Sequence, residues 1–313
     1  MPADSESRAR SAAPPPQAAA PASALLPWLL VLVLVLIWGT SFILIKRGLA
    51  VYRPVELGAL RIVLAALVLL PFAARGVRLV PRARWRWLLT AGLIGNFLPA
   101  ILFAWAETRL ASGLAGILNS LTGLFTLLAG ALLFGQRLTG ARMLGVLTGM
   151  VGTAVLLSSG PGGLGRVAPA DVPYGLLIVV ATAMYGFNLN LIKYRLAGIP
   201  PVEMAALALF FVAGPALVAL LMTDAIPRTL HLPGGWTAFG AVAILAAAST
   251  ALGLVLYNWL IQLRGTVFAT TTTYLMPVVS LLWGVLDGER IYAGHYAGLA
   301  IILGGVALVS RAK

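Results

Sequence analysis

The chain has 313 residues, 60% of them hydrophobic and 10% charged, against roughly 45–50% apolar and about 25% charged in an average soluble domain. One globular core cannot absorb that excess, so the composition excludes an ordinary soluble enzyme and a disordered scaffold and points to a chain that crosses a bilayer many times. The formal charge is +13, from 22 Lys and Arg against 9 Asp and Glu, and it falls mostly in short gaps between apolar runs, where it reads as topogenic charge rather than as a nucleic-acid surface.

Residues 1–24 form a Pro/Ala-rich tail without apolar periodicity, expected to be disordered and cytoplasmic. The apolar run after it is longer than a signal-peptide core, so it reads as a retained first helix. Ten apolar segments follow, near Leu26–Ile45, Val55–Phe72, Trp87–Ala106, Leu114–Phe134, Met143–Leu157, Val172–Leu196, Val202–Met222, Phe239–Leu260, Val267–Leu286 and Tyr296–Val309. Each is long enough, or in the fifth and tenth nearly so, to span about 30 Å at 1.5 Å per residue. With a cytoplasmic N-terminus, 14 Lys and Arg lie inside and 7 outside, with Arg61 within a helix. That bias places both termini in the cytoplasm.

The two halves resemble each other. Ile37-Trp38-Gly39, Lys46, Ala50 and Pro54-Val55-Glu56 recur 147 residues later as Met184-Tyr185-Gly186, Lys193, Ala197 and Pro201-Val202-Glu203. Gly135-Gln136-Arg137, Gly145 and Gly152 recur 153 residues later as Gly288-Glu289-Arg290, Gly298 and Gly305. The expected fold is therefore an all-α membrane protein of ten transmembrane helices, in two five-helix repeats over 25–158 and 172–310. Five is odd, so the second repeat enters the membrane from the opposite side. Inverted repeats of this kind characterise secondary transporters, with the substrate site near the midplane between them.

The same features resemble the drug/metabolite transporter superfamily, specifically the ten-helix exporters of the EamA type. The resemblance is carried by Trp38-Gly-Thr-Ser-Phe42 with Lys46, by Pro54 followed by Arg61, and by Gly288-Glu289-Arg290 with Gly298 and Gly305. It covers about Leu26–Ser310. Two positions depart from the pattern: Gln136 stands where the family often has Glu, and Leu124 stands where the second repeat has Pro277. The resemblance implies export of a small metabolite or drug from the cytoplasm, an amino-acid-like one favoured. It also implies a cavity lined by helices one, three, four, six, eight and nine.

Polar groups inside a bilayer are costly and usually face a cavity or one another. On that ground Arg61, Trp38 with its repeat mate Tyr185, Asn96, Asn119, Asn188 and Tyr274 are the candidates for substrate contact. Arg61 would hold a carboxylate or phosphate, or else serve structurally against backbone carbonyls or Glu107. Its repeat mate is Ala208. The run Thr270–Thr273 reads as hydroxyls bonded back to the preceding turn. Glu56, Glu107 and Glu203 are the candidates for proton coupling, although Glu56 and Glu203 also suit a simple helix-start role. Gly145, Gly149, Gly152, Gly298, Gly304 and Gly305 suit close packing of helices five and ten.

All nine carboxylates fall in the tail, in loops or near helix ends, and the two His, His231 and His295, lie in or near loops. The absence of Cys removes disulfide, thiol and iron–sulfur chemistry. Gly160-Pro-Gly-Gly-Leu-Gly165 lacks the Lys-Ser/Thr of a phosphate loop. No enzyme chemistry, cofactor, metal or nucleic-acid partner is expected. The partners are a small-molecule substrate and the bilayer, with a monomer or homodimer left open, and an uncoupled facilitator of the same fold is the alternative to a coupled exporter.

Overall fold

The computed structural model describes residues 25–136, 139–157, 172–288 and 293–311. The tail at 1–24, the Gly160–Gly165 loop and the Glu289-Arg290 part of the repeated motif lie outside the described residues. Everything described is helix or short connection. The elements are α1 (Leu25–Leu49), α2 (Pro54–Val68), α3 (Leu70–Leu79), α4 (Trp85–Gly92), α5 (Leu98–Ala106), α6 (Ser112–Leu118), α7 (Leu121–Phe134) and α8 (Gly140–Leu157). Then come α9 (Val172–Arg195), α10 (Pro201–Leu221), α11 (Ala225–His231), α12 (Gly235–Ile244), α13 (Gly253–Arg264), α14 (Thr266–Ala269), α15 (Thr271–Leu286) and α16 (Ala293–Arg311).

Helix is the form an unbroken apolar run takes in lipid, because each backbone N–H and C=O must be bonded within the segment. α1 is apolar nearly all round, with Leu29, Leu32 and Leu36 exposed and Leu30, Leu34 and Val35 buried. Exposed leucines facing lipid and buried ones facing protein are chemically alike, so hydropathy alone does not separate its two faces. Seven spans among the described residues are long and apolar enough to cross a membrane, and the bent pair α2–α3 makes eight. α8 and α16, the fifth and tenth of the sequence's apolar runs, are not among them.

Three departures from plain helix position the site. α2 and α3 meet at a 69° bend, where Pro71 removes a backbone donor and restricts the residue before it. α4 passes into α5 through a π-helical stretch, Leu93–Phe97, and α12 passes into α13 through another, Leu245–Leu252. The fourth and ninth spans break at corresponding places, between α6 and α7 and between α14 and α15.

The halves pack through each other rather than side by side. α1 lies on α15 and α7 on α9; α5 lies on α9, and α13 on α1; α2 pairs with α10, and α8 with α16. Exchanging the halves maps this set of contacts onto itself. The α8–α16 seam is closed by glycine. A Cβ on Gly152 would meet the Ile302 nitrogen at 2.6 Å, and one on Gly305 would meet the Gly149 nitrogen at 2.6 Å. This is the close packing of the fifth and tenth helices that the glycine spacing predicts, except at Gly304, where a Cβ would meet nothing within 4 Å.

Both ends of the α2–α10 pair carry an ion pair that crosses between the halves. Glu56, at the start of α2, faces Arg228 of α11 at 3.4 Å, and Glu203, at the start of α10, faces Arg75 of α3 at 3.5 Å. The acids stand 147 residues apart and the arginines 153, the same two offsets that relate the halves.

Candidate functional site

Between the halves lies a cavity enclosing about 870 Å³, open space at its mouth included. It is lined from α1, α2, the Leu93–Phe97 turn, α5, α9, the Leu245–Leu252 turn, α13, α15 and the broken fourth span. The lining thus draws on helices one, three, four, six, eight and nine, with the second helix added through Arg61.

Six of the seven residues singled out for substrate contact line it: Trp38, Arg61, Asn96, Asn119, Tyr185 and Asn188. Arg61 is the only charged side chain in the lining. Its Nε donates to Thr250 Oγ1 at 2.6 Å, and no carboxylate lies within ion-pair distance of it among the described residues. Among the described residues Arg61 makes neither an ion pair with Glu107 nor a hydrogen bond to a backbone carbonyl.

Trp38 donates from Nε1 to the Ser249 carbonyl at 2.7 Å, and Ser249 Oγ donates back to the Ile37 carbonyl at 3.2 Å. A π-helical turn shifts the bonding register and leaves carbonyls available to such side chains. The Trp38 ring meets Tyr257 edge-on at 4.8 Å. Tyr185 stacks on Phe103 with centroids 6.0 Å apart. Asn96 donates to the Ala91 carbonyl at the end of α4 at 3.3 Å, and Asn119 donates to Met276 sulfur at 3.6 Å. The Asn188 and Asn258 side-chain oxygens are buried without a hydrogen-bond partner. An unpaired buried acceptor is costly and invites a donor from whatever fills the space.

Tyr274 is the correction. It does not line the cavity but is fully buried behind it, its ring in the space left by Gly123 and Gly149. Asn190 also stays out, donating to the Thr126 and Gly186 carbonyls at 2.8 and 2.9 Å as a link between helices. Thr270, Thr272 and Thr273 bond back to carbonyls three residues earlier, as their sequence suggests, and Thr273 also reaches the lining. Trp105 and Trp259 are 49% and 38% exposed and face outward, as aromatic belts do.

The three acids separate. Glu56 accepts the Arg53 backbone N–H at 2.7 Å besides facing Arg228, and Glu203 faces Arg75, so both do helix-start and ion-pair work. Glu107, at the end of α5, is buried with neither carboxylate oxygen bonded. Ser41, Thr122, Thr250, Tyr257 and Asn258 line the cavity without having been singled out. Ser41 stands 147 residues before Asn188, so the repeat offset applied to Asn188 would have found it.

A cavity of this kind, between two halves that exchange contacts, belongs to a membrane carrier. The EamA-like transporter family model matches residues 25–158 and 173–311, and the chain belongs to that family. It is a multi-pass membrane transporter with two EamA domains and not an enzyme. It is 29% identical over 287 residues to the uncharacterized inner membrane transporter YedA of Escherichia coli K12, covering 90% of this chain and 89% of that one. It is 28% identical to the probable amino-acid metabolite efflux pump of the same strain, covering 88% and 92%. It is 32% identical over 241 residues to the aromatic amino acid exporter YddG of Ancylobacter novellus, covering 76% and 80%. A crystal structure at 24% identity shares the fold, with a TM-score of 0.67 over 91% of this chain and 96% of that one.

Proposed function

We propose that the protein is a secondary-active exporter of a small, amino-acid-like metabolite in the plasma membrane, with both termini in the cytoplasm. In this reading ten helices form two five-helix repeats of opposite topology, and the two halves rock about the shared cavity to give alternating access. The observation that carries the reading is Arg61: one guanidinium without a carboxylate partner, in a cavity otherwise lined by amides, hydroxyls and aromatic rings. Its free N–H groups suit a substrate carboxylate. The unpartnered Asn188 and Asn258 oxygens suit a substrate ammonium. Trp38, Phe103, Tyr185 and Tyr257 supply apolar and aromatic walls. The self-matching contacts between halves support the inverted arrangement, and the names of two relatives support the substrate class. Proton coupling rests on Glu107, because Glu56 and Glu203 are committed to arginines.

The test is release from proteoliposomes loaded with amino acids, nucleobases and cationic amphiphiles, read by mass spectrometry with and without a proton gradient. Selective release of a carboxylate-bearing class is expected, accelerated by the gradient in the wild type and not in Glu107→Gln. Release of cationic amphiphiles in preference to amino acids would overturn the substrate class. Selective release indifferent to the gradient would make the protein a facilitator.

A further inference from the structure

One end of the helix bundle carries cations that the protein leaves without acids. It is the end where α3 turns away from α2 by 69°. A helix turned that far from the one before it can lie along a membrane surface. α3 is built for that position: Ala73 and Gly76 are buried against the protein, Leu70, Phe72, Val77 and Leu79 are exposed, and Arg75 and Arg78 project from the exposed side. The chain then passes through a 3-10 turn, Arg82–Arg84, into α4. Arg82 lies 5.8 Å from the Trp85 ring, and Arg86 lies 4.8 Å from the Trp87 ring, which Arg195 of α9 approaches at 5.0 Å. Tryptophan and arginine interleaved in this way belong at headgroup depth.

Glu203 is the one carboxylate that the described residues place at this end, and it faces Arg75. Arg84 is used on the Ala197 carbonyl. Arg78, Arg82, Arg86 and Arg195 are exposed and have no carboxylate within ion-pair distance among the described residues. At the opposite end Lys46, Arg47 and Arg228 each face an acid, Asp287 or Glu56, and the exposed Arg53 and Arg109 are the cations left without one among the described residues. The short helix α11, which stands where α3 stands in the other half, has its only arginine in one of those pairs.

We propose that α3, the turn after it and the start of α4 form a binding surface for anionic phospholipid headgroups. Arg78, Arg82, Arg86 and Arg195 hold the phosphates, and the exposed apolar residues of α3 lie against the acyl chains. An amphipathic basic helix at the boundary draws anionic lipid by charge and by buried apolar area together. The proposal stands on this surface alone and does not depend on what the cavity carries.

The experiment is native mass spectrometry of the delipidated full chain in detergent, offered equimolar phosphatidylglycerol and phosphatidylcholine. The wild type is expected to retain phosphatidylglycerol over phosphatidylcholine by about five-fold or more, since each surface arginine contributes roughly that factor. The preference is expected to fall as salt is raised. Replacing Arg78, Arg82 and Arg86 with Gln should bring the ratio toward one. The milder pair Arg78→Gln with Arg82→Gln should reduce it several-fold, should the triple variant fail to fold. Arg53→Gln with Arg109→Gln, which removes two exposed cations at the opposite end, should leave it unchanged. Equal retention of both lipids by the wild type, or equal loss in the two double variants, would overturn the proposal.

Discussion

Arg61 shows what one residue can and cannot reveal in sequence. A guanidinium two turns into an apolar helix is expensive unless it faces a cavity or a partner, so its presence marks a site. The same cost argument singled out Trp38, Asn96, Asn119, Tyr185 and Asn188, and all five line the cavity. It missed Asn258 because a polar residue near a helix end has a cheaper explanation, and Thr250 because a hydroxyl within a helix can bond back to its own preceding turn. It misplaced Tyr274 because the room for that ring is made by Gly123 and Gly149 on other helices. Two predictions belong at this scale. Arg61→Lys is expected to lower release of carboxylate substrates about ten-fold, because an ammonium does not reproduce the planar fork. Flux of any cation that the protein passes should be spared, and equal loss of both would make Arg61 structural. Trp38→Ala should change substrate preference while the protein still reaches the membrane. It removes both the ring beside Tyr257 and the bond to the Ser249 carbonyl. Unchanged selectivity in a release competition would place Trp38 outside the pathway.

Among the elements, glycine spacing was the most legible feature, because small residues three and four apart admit a close neighbour and little else explains them. Gly152→Val should force the α8 and α16 backbones apart and cost roughly 1–3 kcal/mol as overpacking does. Gly304→Ala, which meets nothing within 4 Å in a helical position, should keep or slightly raise the melting temperature, since alanine is the better helix former. The π-helical turns were not legible, since neither the register shift nor the bond from Trp38 to the Ser249 carbonyl across the interface shows in a local run of apolar residues. The ion pairs were half legible: Glu56 and Glu203 stood out as repeat mates, but the arginine of each sits in the other half of the chain. Glu56 is 1% exposed and faces a mostly buried arginine, whereas Arg75, opposite Glu203, is 70% exposed. Glu56→Gln should therefore cost about 3 kcal/mol and Glu203→Gln about 1 kcal/mol, read as a difference in thermal stability in detergent.

Asp287 joins the ends of α1 and α15 through Lys46 and Arg47, the latter at 2.8 Å. The hydrogen bond from Lys46, then its charge and that of Arg47, hold the Asp287 carboxyl below its ordinary value. A depressed carboxylate stabilises the fold above its unfolded pKa of about 3.9 and loses that contribution as pH falls through the lower folded value. This tie should therefore persist across the neutral range and give way only in acid. Asp287→Asn should remove the corresponding part of the acid limb of a stability–pH profile. An acid limb identical to the wild type would show that the tie contributes nothing.

For the whole molecule, the duplication carried the argument. Two offsets in the sequence, 147 and 153, predicted which helices answer to which, and the contacts between halves follow that correspondence. Hydropathy resolved the architecture less well. It could not say that the second run bends by 69°, because that depends on Pro71 and on what α10 offers beside it. Nor could it say which face of each helix turns inward, because lipid and protein interior are equally apolar. The central claim is that the two halves expose one cavity alternately to the two sides of the membrane. The natural chain has no cysteine, so a single probe can be introduced without background. The measurement is labelling of Ser41→Cys and, separately, Asn258→Cys by a membrane-impermeant maleimide applied to either side of oriented vesicles. The account predicts that each cysteine is labelled from both sides, and that a transported substrate slows labelling from both. Labelling of both cysteines from only one side, with or without substrate, would contradict it.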